Sequence, residues 1–162
     1  FQPGVEYAQP DQLFANRGGS FTDVSDSSGA WFATREVGRG AAFGDYDNDG
    51  DVDLLVTHCG GPAKLLRNEG GNRRNWSMIR TVGSRGNRDG IGAEVRLVAG
   101  GLSQVRVVQG GSSYLSAGDR RLHFGLGSRT RIDTVEIRWP GGELQLFHDL
   151  PANEMLTLKQ DR

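Results

Sequence analysis

The chain has 162 residues, a formal net charge of −1, 36% hydrophobic residues and 25 glycines. That length suffices for one ordinary domain or two small ones, and the lack of any apolar run of about 18 residues excludes a membrane-spanning helix. The charge is split: residues 1–60 hold ten acidic against three basic side chains, a net of −7, and residues 61–162 hold ten against sixteen, a net of +6. The bases are spread along the chain rather than clustered, which argues against a nucleic-acid partner.

No basic-then-apolar signal pattern opens the chain, and the start at Phe1 without Met suggests a processed or truncated form. Glycine pairs at 18–19, 60–61, 70–71, 100–101, 110–111 and 141–142 punctuate short apolar runs, as in a turn-rich all-β protein. The stretches LFANRGG at 13–19 and LLRNEGG at 65–71 match at Leu13/Leu65, Asn16/Asn68, Gly18/Gly70 and Gly19/Gly71, an offset of 52 residues. A period near 50 is the size of one propeller blade.

Between those copies lies GDYDNDGDVD, residues 44–53, in which Asp45, Asp47, Asp49, Asp51 and Asp53 alternate with other residues. Carboxylates so close repel one another, on the order of 1 kcal/mol per close pair even in water. A calcium ion wants six to eight oxygens at about 2.3–2.6 Å. Asp45, Asp47 and Asp49 at positions 1, 3 and 5 of a curled loop can point inward, Gly50 at position 6 permits the bend, Asp51 at position 7 would offer its backbone carbonyl, and Asp53 at position 9 closes the set. Position 12 is Val56, where an EF-hand requires Glu. The apolar flanks GAAF and VDLLV make this a strand–loop–strand site. Cys59, alone in the chain, forms no internal disulfide; it reads as a buried small hydrophobe or as an exposed thiol.

From about residue 75 the composition shifts to longer alternating runs, so the expected division is 1–74 and 75–162. AEVRLVA, DTVEIRW, ELQLF and EMLTLK each read as a half-buried strand. Val95, Leu97, Val107, Val135, Ile137, Trp139, Leu156 and Leu158 are the expected core of one compact antiparallel unit. NWS at 75–77 is a formal glycosylation sequon.

GRGAAFGDYDNDGDVDLLVTHCGGPAKLLRNEGG resembles an FG-GAP repeat, also called a VCBS repeat, the blade unit of integrin-type β-propellers. NRDGIGAEV, HFGLG and EIRWPGG resemble hallmarks of the ASPIC/UnbV domain, which follows such repeats in bacterial extracellular proteins and in the cartilage acidic protein family. The resemblance implies a calcium-binding, non-catalytic β module, extracellular or at the cell surface. The expected fold is all-β and antiparallel: a propeller-blade-like calcium-binding repeat followed by a compact β-sandwich-like domain.

No catalytic constellation accompanies these motifs. His58, His123 and His148 lack metal-ligand spacing, and neither GGSSY nor GLSQ fits a nucleophile elbow. The expected function is therefore adhesion or self-assembly through surfaces, with a protein or glycan ligand. A lone blade leaves edge strands open, and the charge split favours head-to-tail contact, which generates a filament when it does not close. The alternative is a carbohydrate-binding module in which Trp31, Trp76 or Trp139 forms a stacking platform.

Overall fold

The structure, a computed structural model, describes residues 6–162. The chain opens with a hairpin, β1 (Phe14–Arg17) and β2 (Ser20–Asp23), whose turn is fastened by the Gly19 amide donating to Asn16 Oδ1 at 2.9 Å. Two short 3-10 turns follow at Ser25–Ser27 and Ala30–Ala33. Then come β3 (Gly38–Gly44), β4 (Asp53–His58) and β5 (Lys64–Leu66), a three-stranded antiparallel sheet in the order β3-β4-β5. The aspartates form the connection from β3 to β4.

The remaining strands are β6 (Asn75–Val82), β7 (Glu94–Ala99), β8 (Leu102–Val107), β9 (Leu122–Gly127), β10 (Arg131–Arg138), β11 (Leu144–Pro151) and β12 (Met155–Lys159). They form two sheets, β11-β10-β7-β8 and β12-β6-β9, whose inner faces make one core. Val95, Leu97 and Ala99 of β7 and Ile132, Val135 and Ile137 of β10 meet Ile79 of β6, Leu122, Phe124 and Leu126 of β9, and Leu158 of β12. Trp139 joins them, with its indole N–H donating to Gln145 Oε1 at 3.0 Å, so the one polar atom of that ring is satisfied.

The expected antiparallel order fails at one pair. β12 runs parallel to β6, with Leu156 opposite Ile79 and Leu158 opposite Thr81. After β11 the chain crosses from one sheet to the other through residues 152–154 and lies along β6 in the same direction.

The expected core position Val107 is also corrected: it is 43% exposed, whereas Val108 is 1% exposed. The cause lies in the register of β7 and β8. Val95 and Leu97 stand opposite Arg106 and Gln104, so the inner face of this edge strand carries long polar side chains and Val105 and Val107 turn outward. Arg106 covers the Phe124 ring at 5.6 Å, and Gln104 donates to the Gly125 carbonyl at 2.8 Å. The opposite edge strand behaves likewise. Leu144 and Leu146 of β11 are exposed, while Gln145 and Phe147 turn inward.

The outer face of β12-β6-β9 is not left to solvent. Met78 is 2% exposed, yet it stands outside the cluster between the two sheets. Its neighbours on that face, Trp76 and His123, meet the aspartate loop, which adds a third layer. The β8–β9 connection reaches further and covers the free edge of β3. There the Ala41 amide donates to Ser116 Oγ at 2.9 Å, and the Asp119 amide donates to the Phe43 carbonyl at 2.7 Å.

Candidate metal centre

Local chemistry curls the aspartate loop. Both Asp45 oxygens accept main-chain amides, Oδ1 from Asp49 at 3.1 Å and Oδ2 from Gly50 at 3.0 Å. Asp49 Oδ1 accepts the Asp51 amide at 3.1 Å. Asn48 and Gly50 take positive φ angles of 61° and 97°, a conformation Asn and Gly tolerate best. Gly50 is required for a second reason: a Cβ there would stand 2.0 Å from Trp76 Cε2.

This curl brings carboxylate oxygens of Asp45, Asp47 and Asp49 within 4.8 Å of one another. Asp45 is buried, Asp47 exposed and Asp49 half-buried. Asp53, 2% exposed, spends its carboxylate on the loop's closure. Its Oδ2 accepts the Tyr46 amide at 3.3 Å and its Oδ1 the Asn68 amide at 2.8 Å. The Asp51 side chain turns the other way, where its Oδ2 accepts the Gly71 amide at 3.0 Å. Its Oδ1 is buried with no partner. Burial pushes the Asp51 carboxyl above its ordinary range; the charge of Asp49 adds to this and the Gly71 amide opposes it.

The donor set fits a hard cation. Clustered carboxylates and a main-chain carbonyl are the oxygens calcium takes. Asp45, Asp47 and Asp49 could offer carboxylates and Asp51 its carbonyl, while Asp53, expected to close the set, lies outside the cluster with both oxygens accepting amides.

A partial counter-charge is built in. Arg67 Nε lies 3.1 Å from Asp47 Oδ2, and Arg67 Nη2 lies 3.7 Å from Asp49 Oδ2. Glu69 and then Asp47 raise the Arg67 pKa above its ordinary value.

Three further residues grip the loop from the sandwich. Arg121 donates from Nη2 to the Asp45 carbonyl at 2.6 Å and from Nη1 to Asn48 Oδ1 at 2.7 Å. It is itself held by Asp119 Oδ2 at 2.6 Å. His123 Nε2 meets the Gly50 carbonyl at 3.0 Å, so that nitrogen carries the proton. Trp76 lies nearly parallel to the His123 ring, 6.3 Å away. Sequence reasoning did not find Arg67, Arg121, His123 or Trp76 as partners of the loop. Arg121 and His123 stand 76 and 73 residues from the atoms they hold, beyond any local pattern.

The other singled-out residues lie elsewhere. Trp139 is buried in the core and Trp76 is taken up by the loop. The Trp31 N–H donates to Asp11 Oδ2 at 3.0 Å while its ring packs on His58 at 5.2 Å. Cys59 is exposed, which corrects the reading of it as a buried hydrophobe; Arg39 Nε approaches its sulfur at 2.8 Å. The strand ends with His58, whose side chain is 1% exposed, and the next residue emerges into a turn. Asn75 Oδ1 accepts from Asn153 at 2.9 Å, and Ser77 of the sequon is fully buried. A groove of about 970 Å³ runs beside the loop between the repeat and the sandwich, lined by Phe43, Leu55, Leu65 and Arg80 among others. Among the described residues no helix is long and apolar enough to cross a membrane.

Two protein families match the chain. The FG-GAP-like repeat matches residues 5–56, and the family described as ASPIC and UnbV matches residues 83–162. Curated relatives include Cartilage acidic protein 1 of Mus musculus, 34% identical over 111 residues that make up 66% of this chain and 17% of the relative. The Homo sapiens protein is 33% identical over 122 residues, 73% of this chain and 18% of the relative. The Xenopus tropicalis protein is 30% identical over 145 residues, 86% of this chain and 20% of the relative. The chain thus spans about a fifth of the length of these relatives.

Proposed function

From the premise that the chain belongs to the family joining an FG-GAP-like repeat to an ASPIC and UnbV domain, we propose that it is a calcium-stabilised, non-enzymatic extracellular module acting in adhesion or assembly. The observation that carries the calcium reading is the gathering of Asp45, Asp47 and Asp49 carboxylate oxygens within 4.8 Å of one another on one tightly curled loop. Bound there, the ion would supply charge that offsets the carboxylate repulsion and oxygen coordination that fixes the loop. The protein's part is to hold the loop curled through the Asp45 and Asp53 hydrogen bonds. The relatives' printed name, Cartilage acidic protein 1, supports an extracellular setting.

Adhesion or assembly would use surfaces outside the loop. The acidic loop already finds basic partners within its own chain, in Arg67 and Arg121. The charge split therefore gives no direction to head-to-tail contact. One surface on the repeat that a second chain could use is the outer edge of β5 with the sheet face that exposes Leu55 and Leu65.

Calorimetric titration and thermal melting of the chelated chain test the calcium reading. Binding to the native state alone stabilises by about 2.7 kcal/mol at a hundredfold excess over Kd. Asp45→Ala and Asp49→Ala should abolish that shift, and a melting temperature unmoved by saturating calcium removes the reading. Sedimentation with calcium present tests assembly: a monomer at every micromolar concentration removes it.

A further inference from the structure

The aspartate loop does two things at once. It gathers the candidate cation ligands, and it is the layer that seats on the outer face of β12-β6-β9. The same atoms serve both. Arg121 holds the carbonyl of Asp45, a residue whose carboxylate belongs to the cluster. Its second bond goes to Asn48, between Asp47 and Asp49. His123 meets the carbonyl of Gly50, and the Trp76 ring fills the space where a Cβ on Gly50 would stand. A loop that changes curvature on losing a cation must move these carbonyls and break this seat.

We propose that cation binding and docking of the repeat on the sandwich are one linked equilibrium, with Arg121 and His123 as the positioning residues that couple them. The inference rests on the calcium reading above. Linkage is reciprocal: if docking tightens cation binding by some factor, cation binding tightens docking by the same factor. The sandwich thus completes the loop's shape from outside, and the ion reports whether the two parts are engaged. The sensor of engagement is the β8–β9 connection up to residue 118, which lies along β3 through Ser116 and includes neither Arg121 nor the Asp119 that holds it.

Two conservative variants of the full chain test this. Arg121→Lys keeps the positive charge, so the Coulomb effect on a nearby cation is retained, and loses the planar fork that reaches two acceptors. His123→Phe keeps a ring against Trp76 and loses the donor to Gly50. Calcium is titrated by calorimetry, and hydrogen exchange is followed in residues 44–53 and 109–118. Calcium should slow exchange in both segments of the wild type. Each variant should bind calcium at least about fivefold more weakly and confine the protection to 44–53. Equal affinity in wild type and both variants, with unchanged protection of 109–118, overturns the coupling and leaves the calcium reading standing. A wild type that binds no calcium overturns both. Should one variant fail to fold, the other decides.

Discussion

The two parts of the molecule are held by different forces. Among the described residues sixteen apolar side chains are buried, and only one of these, Val56, precedes residue 75. The sandwich therefore has a hydrophobic core of the usual kind. The repeat has in its place a set of carboxylates that accept backbone amides, those of Asp45, Asp49, Asp51 and Asp53. Apolar burial is non-directional and barely sensitive to ions. Carboxylate–amide bonds are directional and gather charge. The repeat's order thus depends on what offsets that charge: Arg67, Arg121 and, on the calcium reading proposed above, a cation. A part of a protein that lacks a core can still be specified, provided its polar groups are almost all satisfied.

The sharpest way to break this contrast is to truncate matched positions. Phe124 is fully buried between the sheets, whereas Leu65 is 50% exposed on the repeat. Phe124→Ala should cost about 3–5 kcal/mol, and Leu65→Ala should stay within about 0.5 kcal/mol. Chemical denaturation measures both. Similar losses at the two sites would mean that the repeat holds a core of its own.

Gly50→Ala ranks next, because it strikes where the two parts meet. It places a side chain at a φ of 97° and drives a Cβ onto the Trp76 ring. The expected loss exceeds about 1 kcal/mol. The double variant with Trp76→Ala separates the contributions. Backbone strain remains in it and the clash disappears, so partial recovery of the melting temperature is expected. No recovery would assign the whole cost to the backbone.

Much of this arrangement was legible in the sequence where the signal was local. The five aspartates and Gly50 declare a tightly curled acidic loop through spacing alone, and three of the carboxylates do cluster. Val95, Leu97, Val135 and Ile137 declare their strands because β7 and β10 are central and keep one face to the core. The signal failed at the edges. Val105 and Val107 alternate as cleanly as Val95 and Leu97, but their strand has one neighbour, and its inner positions are filled by Gln104 and Arg106, whose stems pack while their polar ends reach a carbonyl or a ring face. Alternation also assigns faces without assigning direction, so β12 could not be seen as parallel to β6. The counter-charges were beyond reach because they are tertiary. Nothing in RRLHF places Arg121 on Asp45.

Arg67→Gln sharpens the electrostatic half of the contrast, with a smaller effect. Arg67 is half-exposed beside Asp47 and Asp49, and exposed pairs contribute roughly 0.2–1 kcal/mol. In chelator the variant should lose about that much. Calcium affinity should move the other way and rise, since a competing positive charge leaves the cluster. Lower affinity in the variant would show that Arg67 holds the ligands in place rather than substituting for the ion. Repeating the titration at high salt narrows the difference if the effect is Coulombic.

The smallest effect belongs to the hairpin end, where a carboxylate again does the work of a core. Asp23 Oδ1 accepts the Ser25 hydroxyl at 2.5 Å and the Ser25 amide at 3.0 Å, and Ser25 Oγ in turn accepts the Leu13 amide at 2.9 Å. The Ser25 hydroxyl, then its amide, holds the Asp23 carboxyl below the ordinary carboxylate range. A carboxyl depressed in the folded state binds its proton more weakly there than in the unfolded chain. Its contribution is therefore complete above the unfolded value of about 3.9 and is lost as pH falls through the folded value. Because the carboxyl is exposed, the change in melting temperature should be slight and confined to acid below about pH 4. Ser25→Ala removes the leading cause, so the Asp23 midpoint, followed by carboxyl chemical shift, should rise. The difference in melting temperature between wild type and variant should shrink as the pH drops through the wild-type midpoint, leaving only the loss at the Leu13 amide. A wild-type midpoint at or above that of a model carboxylate would show that this turn is held by its backbone alone.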